Sequence, residues 1–394
     1  MSVNINEVTL TRRNFAKGIA AAGAMLMMGE ASTLLSGCAS KSQNSSKTNT
    51  HTVTDVMGRQ VEIPDNITKV IAIPWPWSSF LFAIDGSAEK IASMSATALA
   101  SYKSCMFEVL APGLADSDTS FIDDGNKEGG SFGTLNVEEI ARITPDFVII
   151  YKRDANAMLD SLESVGITTL VLDYGDLDLM QDGLLILGQA MGQEDAKRAQ
   201  QIVDWQNEAS ELVDERIATL ADDEKPSAIM LRDGNLNLYN TDFSNNMFRE
   251  AGASVATDSL DQQGSTSGSA VDFEQIQQWD PDFIFLGNFA KHEPAEIYNN
   301  TMAGMNWSNL KAVKNKHVYK VPMGLYRWDP PSTEAHLALL WEAKIFHPEL
   351  FSDIDLIERT KEFYRSLFSH ELTQDEIDMI FHNDLNDGSE NLWS

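Results

Sequence analysis

Residues 137–151 read VEEIARITPDFVIIY, and residues 273–287 read FEQIQQWDPDFIFLG. Laid over each other with Glu138 on Glu274, the stretches share that Glu, an Ile two positions on, then Pro-Asp-Phe and an apolar run. In the first, Asn136 can cap a short helix whose first turn holds Glu138 and Glu139, acidic residues that the helix dipole favours there. Pro145 stops the helix, because its ring clashes with the preceding turn and it has no N–H to offer. FVIIY then reads as a strand, and its unbroken apolar character suits a parallel sheet covered on both faces. A chain that writes this unit twice predicts two similar α/β lobes.

The flanking sequence supports the same reading. TVTDVMGRQVEIP (52–64) alternates on either side of Met57-Gly58, the pattern of a β-hairpin. KVIAIP (69–74) is a short strand, followed by a helical SSFLFAIDG, the strand IASMS and a polar loop at 112–133. After the first unit come a helix near 155–165 and the strand TTLVLD (168–173). Residues 178–221 keep helical periodicity with no strand inside, and Gly192 is the expected break. Strand–helix alternation restarts beyond Pro226 with SAIMLR, NLNLYN and a helix reaching Ala251-Gly252, and it resumes after the second unit with HVYKVP (317–322). The end of the chain is helical, and Thr373 with Glu376 forms a capping box for its last helix.

The expected fold class is α/β: two Rossmann-like lobes with parallel-rich sheets, bridged by a single long α-helix, plus a helical C-terminal tail. The boundaries read as a leader at 1–37, a flexible tether at 38–51, an N-terminal lobe at 52–177, an interlobe helix at 178–222, a C-terminal lobe at 223–332, and a tail at 333–394 packing on the C-terminal lobe.

The leader holds Arg12 and Arg13, then Phe15, Lys17 and a small-residue and Met/Leu run, the order of an export signal of twin-arginine type. Leu35-Ser36-Gly37-Cys38 resembles a lipobox, which would make Cys38 the lipidated first residue of the mature protein. An ordinary membrane anchor is the alternative, but the apolar run is short for a span and is interrupted by Glu30 and several Gly. Ser, Asn, Thr and Lys dominate the segment after Cys38, as in a tether. With Cys38 taken by lipid, Cys105 has no partner, so no disulfide is expected. The chain has 29 basic and 59 acidic residues, a net charge of −30, which makes nucleic acid an unfit partner. There is no phosphate-cradling Gly-Lys-Ser/Thr loop, no G-x-S-x-G elbow and no H-E-x-x-H, so nothing in the sequence points to an enzyme.

With these pieces in order, the chain resembles the substrate-binding lipoproteins of iron-siderophore, haem and cobalamin ABC importers. The resemblance rests on DVMGRQVEIP, KVIAIP, the Asn136-to-Asp146 unit, NNMFREAGA (245–253), the Glu274-to-Asp282 unit, and NLKAVKNKHVYKVP (309–322). It covers about 52 to 380, nearly the whole mature body. The resemblance implies a monomeric, extracytoplasmic binder, lipid-anchored to the bacterial cell membrane, that delivers its ligand to an ABC permease. It also implies that Glu138 and Glu274, one per lobe, dock into basic pockets of that permease. The plainer account, that each Glu favours its own helix N-terminus, holds alongside it. The bridging helix would act as a strut, so that the cleft closes by a small rocking motion.

A two-lobed binder of this kind holds its ligand at loops that follow the C-terminal ends of the parallel strands. That rule selects Trp75 and Trp77 after the first strand, Arg153 after FVIIY, Arg232 and Tyr239 after SAIMLR, Asn288 after FIFLG, and Tyr326, Arg327 and Trp328 after HVYKVP. The aromatics offer flat surfaces for a large planar ligand, and the arginines offer paired donors for carboxylate, phosphate or catecholate oxygens. The competing account is that the aromatics cap a lobe and the arginines pair with neighbouring acids. His292 alone among the histidines lies in a plausible cleft loop, and no His pair has metal-ligand spacing, so a bare-metal site is not expected. The expected ligand is an iron(III) chelate, with haem, cobalamin and molybdate or tungstate as alternatives and no resident cofactor. A lipid-anchored sensor without a transporter is the alternative of another class.

Overall fold

The computed structural model describes residues 49–393, apart from 104, 117–134, 232–235, 239–242, 261–268 and 303. The expected hairpin is present, with β1 (Thr50–Thr54) antiparallel to β2 (Gln60–Pro64). Its turn is drawn in by Asp55, whose Oδ1 accepts from the Met57 and Arg59 amides at 2.9 and 3.0 Å. Gly58 takes the left-handed φ of 77° there, a conformation that suits a residue without Cβ.

The N-terminal lobe then runs β3 (Val70–Ala72), α1 (Trp77–Asp85), β4 (Ile91–Met94), α2 (Ala96–Ser101), α3 (Met106–Leu110), α4 (Val137–Ile143), β5 (Phe147–Tyr151), α5 (Ala155–Ser164) and β6 (Thr169–Leu172). Its strands pair in parallel in the order β4-β3-β5-β6. After α6 (Leu177–Met191) and α7 (Gln193–Ile217), the C-terminal lobe runs β7 (Ser227–Leu231), β8 (Asn237–Leu238), α8 (Phe243–Glu250), β9 (Ser254–Val255), β10 (Ser269–Ala270), α9 (Phe273–Trp279), β11 (Phe283–Leu286), α10 (Pro294–Tyr298), α11 (Lys311–Lys314) and β12 (Val318–Lys320). Its main sheet is also parallel, ordered β12-β11-β7-β9, with β8 and β10 as a small antiparallel pair. Counted along the chain, each parallel sheet reads second, first, third, fourth. The tail is α12 (Ala335–Phe346), α13 (Leu356–Phe368) and α14 (Gln374–Ile380).

The look-alike stretches are the helix and third strand of each sheet, built alike down to single atoms. Asn136 accepts from the Glu139 amide at 3.1 Å, and Asp272 accepts from the Gln275 amide at 2.9 Å. Each helix ends on a left-handed residue before the proline, Thr144 at φ 53° and Asp280 at φ 44°. The Asp of Pro-Asp-Phe then stitches the third strand to the start of the first. Asp146 Oδ2 accepts from the Thr68 and Lys69 amides at 2.6 and 2.8 Å, and Asp282 Oδ2 accepts from the Ser227 amide at 2.9 Å. β5 and β11 are buried at every position, as a sheet covered on both faces requires.

The helical stretch expected at 178–222 breaks at Gly192 more sharply than a kinked strut would. Gly192 adopts φ 128°, and α6 folds back along α7 as a hairpin, with Gln181 Nε2 donating to Asn207 Oδ1 at 3.1 Å. The two helices approach so closely that a Cβ on Gly188 would come within 2.7 Å of the Ala199 Cβ. Of these two helices, α7 is therefore the bridge. Its 25 residues span about 37 Å at the α-helical rise of about 1.5 Å per residue. Near its start Arg198 donates to the Ala83 carbonyl of α1 at 3.0 Å. Further along, Gln206 donates to the Ser332 carbonyl, just before α12, at 3.0 Å.

The tail differs from expectation in one respect. α12 packs on α7 and α8 of the C-terminal side and is buried along its whole length, but α13 reaches across to α1 of the N-terminal lobe. Phe82 of α1 stacks on Phe368 at the end of α13 with ring centroids 4.9 Å apart. One apolar core consequently runs without interruption from β3 and β5 through α7 and α12 to β7 and β11, and residues 48–394 form one compact unit. The expected capping box closes α14, with the Thr373 amide donating to Glu376 Oε2 at 2.8 Å. Among the described residues, no helix is long and apolar enough to cross a membrane.

Candidate functional site

In each sheet the strand order reverses between the first and third strands, β3 and β5 or β7 and β11, and loops leaving these strands must diverge there. Such switch points at carboxyl ends of strands are where open α/β sheets form crevices. The loops after β3, β5 and β6 meet the loop after β12 and the start of α8 around a cleft of about 190 Å³. Trp75 and Pro76 come from the β3 loop, Tyr151 and Arg153 from the end of β5, and Asp173 and Tyr174 from the β6 loop. The other lobe supplies Phe243, Tyr326, Arg327 and Pro330.

Aromatic rings meet between the lobes, at or beside the cleft, in three places. Trp75 and Phe289 are edge-to-face at 6.4 Å, Tyr174 and Phe243 are edge-to-face at 5.2 Å, and Tyr102 and Tyr326 are tilted at 5.8 Å. Pairs of this kind add about 0.5–1.5 kcal/mol beyond their burial, so the lobes hold each other where the cleft needs shape. Tyr102 caps the C-terminus of α2, donates its hydroxyl to the Trp75 carbonyl and accepts from the Ser79 amide. Burial pushes the hydroxyls of Tyr102 and Tyr151 well above the ordinary tyrosine range, so both remain O–H donors at any physiological pH.

The two arginines of the cleft differ. Arg327 is buried and paired with Asp329, Nε to Oδ1 at 2.6 Å and Nη2 to Oδ2 at 2.8 Å, and its guanidinium lies 4.3 Å from the Phe289 ring centroid. Burial alone would disfavour its charge, but Asp329 more than offsets that and raises its pKa further. Arg153 lies 4.7 Å from the Tyr151 ring centroid, meets Asp154 at 3.4 Å, and keeps 53% of its side chain open to solvent. Burial raises the Asp154 carboxyl and Arg153 opposes the rise.

Of the residues expected at the cleft, Trp75, Arg153, Tyr326 and Arg327 line it. Trp77 and Trp328 do not. Both are fully buried: Trp77 packs against Phe80 in the space left by Gly183, and Trp328 packs edge-on against Phe381. In Pro74-Trp75-Pro76-Trp77, α1 begins at Trp77, and its first turn points that ring into the core. In Tyr326-Arg327-Trp328, the bridge between Met323 and Arg327 turns the loop so that Tyr326 and Arg327 line the cleft while Trp328 is left in the core. Asn288 is a strut behind the loop, donating to the Val321 and Pro322 carbonyls at 2.8 and 3.2 Å and accepting from the Trp328 amide at 3.3 Å. Arg232, Tyr239, Cys38, Arg12 and Arg13 lie outside the described residues.

The sequence reading missed Tyr151, Asp173, Tyr174, Phe243 and Phe289. Tyr151 reads in the sequence as the end of a strand, and the last residue of a central parallel strand is placed at the crevice by the same rule that selects Arg153. Phe243 and Phe289 belong to the opposite lobe, and no local pattern announces them. Among the described residues, no three His, Cys, Asp or Glu side chains group as ligands for a bare metal ion. His292 instead faces Glu296 one helical turn on, at 3.2 Å.

Residues 84–323 match the family described as periplasmic binding protein. The chain belongs to that family. It is 32% identical to a periplasmic solute binding protein from Veillonella parvula, which covers 86% of this chain and 99% of its own, with a TM-score of 0.78. It is 21% identical to the molybdate-binding protein MolA of Haemophilus influenzae over 85% of this chain and 96% of that one. The molybdate-bound MolA structure superposes with a TM-score of 0.66. It is 24% identical to the iron(3+)-hydroxamate-binding protein FhuD of Bacillus subtilis over 53% of this chain and 65% of that protein. This periplasmic binding protein is a solute-binding protein of an ABC importer.

The two tryptophans test the assignment of core and cleft. Trp328→Ala removes a fully buried ring and is expected to cost about 3–5 kcal/mol of unfolding free energy. Trp75→Ala, at a partly open position, should cost clearly less, and urea unfolding followed by circular dichroism compares the two directly.

Proposed function

We propose that this protein is a lipid-anchored capture protein for a compact, anionic iron(III) chelate, which it hands to an ABC permease. The observation that carries the ligand class is the lining of the cleft: aromatic faces from both lobes with the half-exposed side chain of Arg153. Such walls suit a ligand with apolar or conjugated faces around a negatively charged centre. Haem and cobalamin fit less well, because about 190 Å³ is below the usual range of about 300–1,000 Å³ for enclosed ligand sites. A chelate can seat its metal-bearing face here and leave the rest outside.

A second reading, a bare oxyanion such as molybdate, is favoured by the same small volume and by the extent of the match to MolA. It is disfavoured by the donors. A tetrahedral oxyanion needs several N–H or O–H groups at once, and Arg327 already gives two of its N–H groups to Asp329.

Glu138 and Glu274 are the proposed docking groups for the permease. Each is exposed in the first turn of its helix, α4 or α9, at the same place in each lobe. An exposed carboxylate on each lobe suits a partner that presents arginines. Binding without chemistry, export by the twin-arginine route and anchoring through lipid on Cys38 complete the proposal, the last two resting on the leader sequence.

Titration of the mature protein with a ferric catecholate, an anionic chelate, and with molybdate, read by intrinsic Trp fluorescence and calorimetry, tests the ligand class. Saturable quenching by the ferric chelate alone, weakened roughly tenfold by Arg153→Ala, is expected from a charged hydrogen bond worth about 1.5–3 kcal/mol. Saturable binding of molybdate alone transfers the assignment to the oxyanion. Charge reversal of Glu138 and Glu274 to Arg is expected to leave that titration unchanged and to lower uptake in cells by roughly tenfold or more. Normal uptake by the double variant would remove the docking assignment. Cys38→Ser is expected to move the protein from the membrane fraction to the soluble fraction, and unchanged fractionation would refute the lipid anchor.

A further inference from the structure

The loop that presents Tyr326 and Arg327 has little regular structure of its own, and it is held in its middle by a carboxylate that does not line the cleft. Glu334 stands at the N-terminal end of α12 and is fully buried. Its Oε2 accepts from the Leu325 amide at 2.7 Å and reaches the Tyr326 amide at 3.4 Å. Its Oε1 accepts from the Tyr364 hydroxyl of α13 at 2.7 Å. The indole N–H of Trp328 lies near the carboxylate without forming a hydrogen bond of good geometry. Gly324 makes the approach possible, since a Cβ there would lie 1.8 Å from Oε1.

Other groups hold the ends of this loop. The Met106 amide of α3 donates to the Gly324 carbonyl at 3.0 Å, the Met323 amide donates to the Ile380 carbonyl at 2.9 Å, and Ser244 donates to the Asp329 carbonyl. Between Gly324 and Asp329, the Trp328 amide donates to the Pro322 carbonyl at 3.2 Å, while the Leu325 and Tyr326 amides have Glu334 as their acceptor. We propose that Glu334 is the positioning residue of the cleft: its buried carboxylate accepts the Leu325 and Tyr326 amides and the Tyr364 hydroxyl together, and so sets Tyr326 and Arg327 against the ligand. This rests on the cleft being the ligand site.

The protonation state of Glu334 decides how firmly the loop is held. Hydrogen bonds to a carboxylate are roughly twice as strong as those to a neutral acceptor. Burial pushes the Glu334 carboxyl up to about 7, while Tyr364 and the Leu325 and Tyr326 amides restrain the rise. The titratable groups that face it are Tyr364 from α13 and Cys105 from the start of α3. Burial pushes the Cys105 thiol up to about 12 and the Tyr364 hydroxyl well above its ordinary range, so both stay neutral between pH 6 and 8. The loop is therefore gripped by a carboxylate above pH 7 and by a neutral acid below it. Global stability has the opposite sign. A carboxyl raised on folding contributes stability that is fully present below its unfolded value and is lost as pH rises through the folded one. A local response that strengthens with pH thus separates positioning from mere stability.

Hydrogen exchange of the Leu325 and Tyr326 amides in the ligand-free mature protein, corrected for intrinsic rate, tests the proposal at pH 6 and pH 8. Protection about fivefold higher at pH 8 is expected, the equilibrium value of roughly one net hydrogen bond. Glu334→Gln, which fixes the neutral form, should give the lower protection at both pH values. Tyr364→Phe deletes a hydrogen bond that holds the pKa down and should move the transition above pH 7, so it serves as the test if Glu334→Gln does not fold. Equal protection at both pH values in the unmodified protein, or a Glu334→Gln variant that still responds to pH, overturns the proposal. Because exchange is read without ligand, failure of the ferric catecholate and molybdate to bind would count against the functional reading alone.

Discussion

The carboxyl ends of two parallel sheets face one cleft, and one shared apolar core holds them there. α7 runs from α1 of the first lobe to α12 of the second, and α12 is buried from end to end between it and α8. α13 adds a second crossing through the Phe82–Phe368 stack. A core at crystal-like packing density does not deform smoothly, and a wide opening of the lobes would have to disrupt it. The aromatic pairs between the lobes depend on this, since edge-to-face geometry is lost when rings separate by more than a few ångströms.

Behind the aromatic walls lies a set of buried polar groups that give the C-terminal wall its shape. Asp329 aims Arg327, Asn288 braces the β11 and β12 loops against each other, and Glu334 holds the turn between them and α12. Lys320 donates to the Gly287 and Ala290 carbonyls at 2.9 Å each, and burial lowers its pKa. Glu342 of α12 buries both carboxyl oxygens with no hydrogen-bond partner among the described residues, and burial, with Glu250 and Asp329 adding to it, pushes its pKa upward. Polar groups in such places contribute little net stability, and their common effect is to specify one arrangement of the loops.

The repeated unit shows how local chemistry is reused at the level of the fold. Cap, left-handed end, proline and aspartate recur in the same order, and each aspartate ties the third strand of its sheet to the first. Pro-Asp-Phe is thus a device for strand registration as well as a helix stop. The exposed Glu of each unit takes no part in it.

The elements of the fold were legible because they are local matters. A cap, a proline, an unbroken apolar run or a glycine such as Gly192 acts on its near neighbours, and period and spacing reveal it without knowledge of the rest of the chain. The side of each loop that faces the cleft was not legible in this way. Trp75 and Trp77 are two residues apart and chemically identical, yet one lines the cleft and the other fills the core, because the first turn of α1 sends them in different directions. Phe243, Phe289 and Glu334 acquire their roles only from groups far along the chain, or from a turn whose path the opposite lobe decides. The sequence by itself determined two parallel sheets and a bridge between them. Tertiary structure alone decided which side chains share the space between the lobes, because that depends on contacts between residues that no local pattern connects.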